Sequence, residues 1–182
     1  MTSSSYPPSL PARPESPHNF YIRPAELRDV EDMAGLLAEL FAIEADFDFD
    51  REKQAAGLRL LVDSAKDCVL VSEAAGRVVG MVSGQTVIST AEGAPVGWVE
   101  DLVVAESWRG QGVGRALLER VEDWAEARGV TRLQLLADGN NAPALEFYRR
   151  QGWAGTALVA LRKFPGRTNR SCDGNGSGDH QP

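Results

Sequence analysis

Apolar residues along this chain fall into two rhythms, and the switches between them mark out its elements. Val30, Met33, Leu36, Leu37, Leu40 and Phe41 recur at the three-and-four spacing of a helix face, with Asp29 ahead of them as a candidate N-cap. A second helix is predicted from Asp50, with Leu58, Leu61 and Val62 turned inward. Before the first helix, residues 20–23 read as a short strand stopped by Pro24. After the second, residues 68–72 and 78–88 are apolar runs joined at Ala75-Gly76, which predicts a hairpin. Residues 89–97 are rich in small side chains and read as a loop, and residues 98–104 as a strand. Helical rhythm returns over residues 112–128, with Val113, Leu117, Val121, Trp124 and Ala125 on one face and Gly129 placed to end it.

Residues 131–137 read as a further strand, so that strand, helix and strand form a right-handed crossover with two parallel strands. Asn141 can cap one more helix, Pro143 is tolerated in its first turn, and Gly152 closes it before a hairpin-like segment over residues 153–164. The expected fold class is α+β: one mixed sheet flanked by about four helices.

Composition limits where that fold sits. Residues 1–19 hold Pro7, Pro8, Pro11, Pro14 and Pro17 among serines, and residues 165–182 run through Gly174, Gly176 and Gly178. Neither stretch can bury enough apolar area to offset chain entropy, so both are expected to be disordered, leaving residues 20–164 as one folded domain. A length of 182 residues with 43% hydrophobic and 25% charged content suits one domain, and there is no internal repeat. The formal net charge of -7 gives no general attraction to nucleic acid or to an anionic membrane, while cationic partners are allowed. With neither a secretion-type leader nor an apolar run of roughly 20 residues, a cytoplasmic protein is expected. Cys68 lies in an apolar run and Cys172 in the polar tail, and His18 and His180 lie outside the patterned region. The domain thus lacks the means for a disulfide framework, a zinc cluster or a histidine-based triad, and no metal is expected.

One local feature points to chemistry. Arg109-Gly110-Gln111-Gly112-Val113-Gly114-Arg115 stands between a strand and the best-patterned helix. In a chain with 18 glycines the spacing alone says little, but alternate glycines at a helix start let main-chain N–H groups converge on an anion. The helix dipole adds about 0.3–1 kcal/mol per charge at an exposed site. A phosphate or pyrophosphate fits there. No lysine follows the glycines as a Walker loop requires, and the G-x-G-x-G run has Leu117 where a dinucleotide fingerprint would put its third glycine. A nucleotide-binding α/β protein is therefore disfavoured.

Taken in order, Glu100-Asp101-Leu102-Val103-Val104, residues 109–114, and Asn141 to Tyr148 followed by Gly152-Trp153 resemble the GNAT N-acetyltransferase family over essentially all of residues 20–164. The text is closest to its polyamine and other small-molecule acetyltransferases. The resemblance implies a single GNAT-like domain whose mixed sheet is splayed at its centre, with acetyl-CoA as co-substrate. It implies that Leu102, Val103 and Val104 offer backbone to the pantetheine and thioester, and that Gly110, Gln111, Gly112, Val113, Gly114 and Arg115 hold the pyrophosphate. Asn141 and Ala144 would flank the pantetheine arm, and Arg109 and Arg115 are phosphate partners or simply solvated.

An alkyl amine with a reference pKa of about 10 must shed a proton before it attacks a thioester, so a carboxylate base is needed. The resemblance gives that role to Glu100, with partial burial raising its proton affinity, and Asp101 in reserve. Neighbouring strand residues face opposite ways, so both can enter the site only if a bulge intervenes. Tyr148 matches the family's general acid, and a main-chain N–H near Val103 or Val104 would meet charge developing on the carbonyl oxygen. By the same resemblance the acceptor pocket lies around the first two helices, their connection and the loop before the Glu100 strand; in that connection Glu44, Asp46, Phe47, Asp48, Phe49 and Asp50 either draw a cationic acceptor or cap a helix. Trp98 and residues 89–93 are further candidates. The expected activity is acetyl transfer to a small-molecule amine. A protein or peptide amine, or a non-catalytic acyl-CoA-binding module, is the alternative, and a homodimer stays open.

Overall fold

The computed structural model describes residues 19–43 and 47–165. The leader and tail expected at the two ends fall, but for their innermost residues, outside that range. β1 (Tyr21–Pro24) leads through a 3-10 turn (Leu27–Asp29) to α1 (Val30–Phe41) and α2 (Arg51–Val62). β2 (Cys68–Ala74), β3 (Arg77–Ser89) and β4 (Ala94–Val104) follow, then a second 3-10 turn (Glu106–Trp108), α3 (Val113–Ala127), β5 (Leu133–Leu135) and α4 (Ala142–Arg150). The strands lie side by side in sequence order, antiparallel from β1 to β4 and parallel between β4 and β5.

Each face of the sheet carries its own core. Leu70, Val82 and Val99 meet Leu117, Val121 and Trp124 of α3 on one face, while Val69, Val71, Met81 and Val103 meet Met33, Leu37 and Leu58 of α1 and α2 on the other. Both faces of β2 and β3 are therefore covered, which is why their text reads as continuous apolar runs. Full burial of each such side chain contributes about 1.5–3 kcal/mol.

Local chemistry explains most element ends. Asp50 accepts a hydrogen bond from the Lys53 N–H at 3.2 Å and caps α2 as predicted. Ala75 and Gly76 both have positive φ, +48° and +75°, which a tight two-residue hairpin turn requires. Asp29 departs from expectation. Its carboxylate caps not α1 but the preceding turn, accepting from the Glu26 N–H at 2.8 Å, and it is gripped by the Arg23 guanidinium at 2.6 and 2.8 Å. The same guanidinium reaches Glu73 on β2 at 2.8 Å, tying β1, β2 and the start of α1 together.

Three sequence-based boundaries are corrected. The loop over 89–97 shrinks to residues 90–93, because Val87 and Ser89 find ladder partners in Val96 and Ala94. The strand over 131–137 shortens to Leu133–Leu135. Residues 153–164 form no strand, and Leu158 and Leu161 are 80% and 93% exposed.

Candidate active site

The site begins where β4 and β5 stop pairing. Gly97, Trp98 and Val99 partner Leu133, Gln134 and Leu135, and beyond these three positions the strands part. The room that Gly97 leaves is taken by a terminal methyl of Leu133, which a Cβ there would meet at 2.5 Å and push aside. Between β3 and β4 the register shifts: Ser83 faces Glu100 and Met81 faces Val103, so Val82 alone opposes Asp101 and Leu102. The extra residue is a bulge, and Asp101 carries a φ of +53°, uncommon for a side chain of any size. The core contacts record its effect, because Val99 and Leu102 pack on the α3 side while Val103 packs on the α1 side. The bulge thus supplies the condition for Glu100 and Asp101 to share one site, and both line the cleft. Glu100 is exposed rather than partly buried as expected.

Past the bulge, Ala105 donates its N–H to Val79 of β3 at 2.9 Å. Amide directions alternate along an antiparallel strand, so Val104 turns its N–H and C=O to the open side. Arg109 bonds that carbonyl from Nε at 3.0 Å, and its Nη2 lies 3.6 Å from Glu39 of α1. Glu39 also accepts from the Glu106 N–H at 3.2 Å, which fastens the end of α1 to the loop after β4. The loop is further closed by Gln111, whose side-chain amide donates to the Ser107 carbonyl at 2.8 Å. Gly110 and Gly112 have φ of +74° and +86°, and Gly112 is the N-cap of α3. The first helical bond runs from the Ala116 N–H to the Gly112 carbonyl, so the amides of Val113, Gly114 and Arg115 leave the helix end without intrahelical partners. α3 lies close to α4 at Gly114, where a Cβ would touch the Phe147 ring at 3.4 Å. Arg115 pairs with Glu119 on the exposed side of α3, at 2.8 Å.

The opposite wall comes from β5 and α4. Asn141 caps α4 by accepting from the Ala144 N–H at 3.1 Å. Seven residues on, Tyr148 packs edge-on against Phe147 and Trp153 with ring centroids 5.3 and 6.1 Å away, and it too lines the cleft.

These walls enclose a cleft of about 460 Å³. It gathers Glu100, Asp101, Leu102, Val103, Val104, Arg109, Asn141, Ala144 and Tyr148 from the sequence-based candidates. Gly110, Gln111, Gly112, Val113, Gly114 and Arg115 are not in its lining but occupy the adjoining loop and helix start. Sequence reasoning missed Leu40 and Ile43 at the end of α1 and Leu135, Leu136, Ala137 and Asp138 after β5. The second group could have been found, because ligands settle at the carboxyl ends of parallel strands. A broader hollow of about 790 Å³ shares Ile43 and Arg109 with the cleft and extends it outward past Glu39.

Around the connection between α1 and α2, Glu44 and Asp46 lie outside the described residues, while Phe47 stacks on Phe41 at 5.2 Å and carries the Arg162 guanidinium 4.7 Å above its ring. Asp50 is taken up by its capping role. Residues 89–93 are not among those lining the cleft, and about 20 Å of strand separates them from Val99. Cys68 is buried and its thiol is pushed up to about 12 by desolvation, which removes it as a nucleophile at neutral pH. Among the described residues no group of three or more His, Cys, Asp and Glu could hold a metal ion, and no helix is long and apolar enough to cross a membrane.

Residues 32–153 match the family described as "Acetyltransferase (GNAT) family". The IAA acetyltransferase of Azospirillum brasilense is 31% identical over 148 residues, which cover 81% of this chain and 86% of that protein. A streptothricin acetyltransferase of Streptomyces lavendulae is 45% identical over 56 residues, 31% of this chain and 30% of that protein, so the chain spans less than a third of that relative. Among solved structures, a transcriptional regulator from Bacillus halodurans C-125 superposes with a TM-score of 0.71 at 22% identity, over 80% of this chain and 99% of that one, a likeness of fold alone.

Proposed function

This chain belongs to the acetyltransferase (GNAT) family, and from that premise we propose that it moves the acetyl group of acetyl-CoA onto the amine of a small-molecule acceptor by direct attack, in the cytoplasm, with residues 20–164 as the catalytic unit. The observation that carries the proposal is the parting of β4 and β5 after Val99 and Leu135, with Glu100 and Tyr148 on one cleft and a glycine-rich helix start at its side.

The residues present fit the co-substrate. Two glycines at positive φ and the outward amides of residues 113–115 form a cradle for a diphosphate, where the α3 dipole favours negative charge. The parted strands leave a slot for a pantetheine arm, with Val104 presenting main-chain N–H and C=O on one side and Asn141 and Ala144 lining the other. Acetyl-CoA supplies the activated acyl group. Glu100 takes a proton from the ammonium of the acceptor, directly or through a water that its exposure admits, and Asp101 is the second candidate for that role. The Val104 N–H meets negative charge growing on the carbonyl oxygen. The Tyr148 hydroxyl gives a proton to the departing sulfur.

The exposed Phe47 already holds a guanidinium and stacks on the half-buried Phe41, the chain neighbour of the cleft residue Leu40, which supports an acceptor bearing positive charge. The names of relatives such as the streptothricin acetyltransferase support a small molecule over a protein.

The test is release of free thiol from acetyl-CoA across polyamines, amino acids, aminoglycosides and peptides. Release with at least one small amine is expected. Tight coenzyme binding without release by any acceptor would replace catalysis with acyl-CoA binding. Tyr148→Phe is expected to lower turnover about 100-fold while coenzyme affinity holds, and unchanged turnover would remove the tyrosine from the mechanism.

A further inference from the structure

The parted end of β4 does not stand open. The Val104 carbonyl, turned away from β3, is taken by Arg109, whose Nε donates to it at 3.0 Å from five residues down the chain. Arg109 is the one cation among the described residues that line the cleft. Its Nη2 lies 3.6 Å from Oε2 of Glu39 on α1, and the same oxygen accepts from the Glu106 N–H at 3.2 Å. The side chain therefore lies across one end of the slot between β4 and β5, bonded to β4 at Nε and leaning on α1 at its tip.

This contact is built to open. The Arg109 and Glu39 side chains are 44% and 42% exposed, and an ion pair so wet is weak and screened by salt. One hydrogen bond to a carbonyl shifts an equilibrium by only about two- to tenfold. Arg23 is the opposite case, 16% exposed and clamped between two carboxylates, a tie that stays shut. A ligand with several contacts can displace Arg109 but not Arg23. A carbonyl oxygen has two lone pairs, so the contest at Val104 is for room as much as for the oxygen, and Arg109 is itself part of the cleft lining.

We propose that Arg109 is a displaceable stopper of the pantetheine slot: steadied by Glu39, its guanidinium holds the Val104 carbonyl until an amide N–H of the entering arm takes that oxygen. The freed guanidinium then turns to the diphosphate, whose cradle begins four residues on at Val113. The proposal rests on the acetyl-CoA reading and deepens it, because one side chain opposes the pantetheine end of the coenzyme and favours its phosphate end. These two effects have opposite signs and fall on different parts of the ligand, so they can be separated. Glu39 is a positioning residue that acts through Arg109.

NMR titration of the nitrogen-labelled full chain with pantetheine, which carries no phosphate, and with coenzyme A tests this, weak binding being ranked by the initial slope. Arg109→Met keeps an apolar stem but removes donor and charge. It should bind pantetheine about two- to tenfold more tightly than wild type and coenzyme A several-fold more weakly. Glu39→Gln keeps an acceptor for the Glu106 N–H while releasing the guanidinium, so pantetheine binding should tighten by a smaller factor. A merely structural role, in which either variant loosens the loop, would weaken both ligands. The Arg109 Nε–H signal, assigned by its loss in Arg109→Met, should lose its protection from exchange with water when pantetheine is added. Pantetheine binding that is unchanged or weaker in both variants overturns the stopper, as does an Nε–H that stays protected with pantetheine bound. If coenzyme A nevertheless binds wild type, only the stopper falls; if coenzyme A fails to bind wild type, the acetyl-CoA reading falls with it.

Discussion

On its β3 side, β4 keeps nine partnered positions; on its β5 side it keeps three. The first four strands form one antiparallel sheet with a core on each face, its pairing shifted in register once between β2 and β3 and once between β3 and β4, and most of their main-chain groups are consumed in holding it together. The half beyond β4 gives up strand pairing, and the main-chain groups released there become the walls of the cleft. One strand thus serves as structure along one edge and as a site along the other, so substitutions on the two sides should separate stability from activity.

The largest separation is expected at Arg23. Its guanidinium sits between Asp29 and Glu73, side chains only 6% and 17% exposed, far from the cleft. Arg23→Ala removes the shared partner of two part-buried carboxylates and should cost about 1–3 kcal/mol in urea or thermal unfolding, with coenzyme affinity unchanged while the protein stays folded. The same contact makes stability depend on pH. Arg23 holds the Asp29 carboxyl below the usual carboxylate range, and the Glu26 N–H adds to this. A carboxyl whose folded pKa is depressed contributes stability above its unfolded pKa and loses it as pH falls through the folded value. Wild type should therefore weaken in acid below about pH 4, and the variant should show a shallower fall. A variant with wild-type acid sensitivity would assign that sensitivity elsewhere.

A smaller effect, on the other side of β4, is expected at Gly112. At a φ of +86° a β-branched residue is strained by about 1–3 kcal/mol, and the strain falls on the amides offered to the diphosphate. Gly112→Val should weaken coenzyme binding about 10- to 100-fold by calorimetry. Wild-type affinity would count against the cradle.

The two halves also differed in how far they could be read from sequence. α1, α2 and α3 were legible because burial imposes a helical period on Met33, Leu37, Leu117 and Val121, and the β2–β3 hairpin because Ala75-Gly76 suits its turn. Asp29 was misassigned because its partner is a side chain on another element, which a local capping rule cannot see. The short β5 and the unpaired 153–164 escaped for a different reason: a strand-like run states a preference but not which edge receives it. At the site, the need for a bulge between Glu100 and Asp101 followed from alternation, whereas Leu136 to Asp138 became cleft residues only through where β5 ends.

The finest test of the comparison uses two buried serines. Ser72 on β2 and Ser83 on β3 are both 0% exposed, but the Ser72 hydroxyl has no hydrogen-bond partner, while Ser83 donates to the Glu100 carbonyl at 3.3 Å, where β4 bulges. Away from the cleft, beside the register shift between β2 and β3, the Ser72 hydroxyl is a buried polar group without compensation, so Ser72→Ala should be neutral or stabilising. Ser83→Ala removes a bond worth about 1 kcal/mol from the backbone that aims Glu100 and Asp101, so stability should fall slightly. Turnover should fall by several-fold, while coenzyme affinity, set at the start of α3, should hold. Equal effects of the two substitutions on turnover would mean that the bulge keeps its shape without the serine, and that the paired edge of β4 does not position the open one.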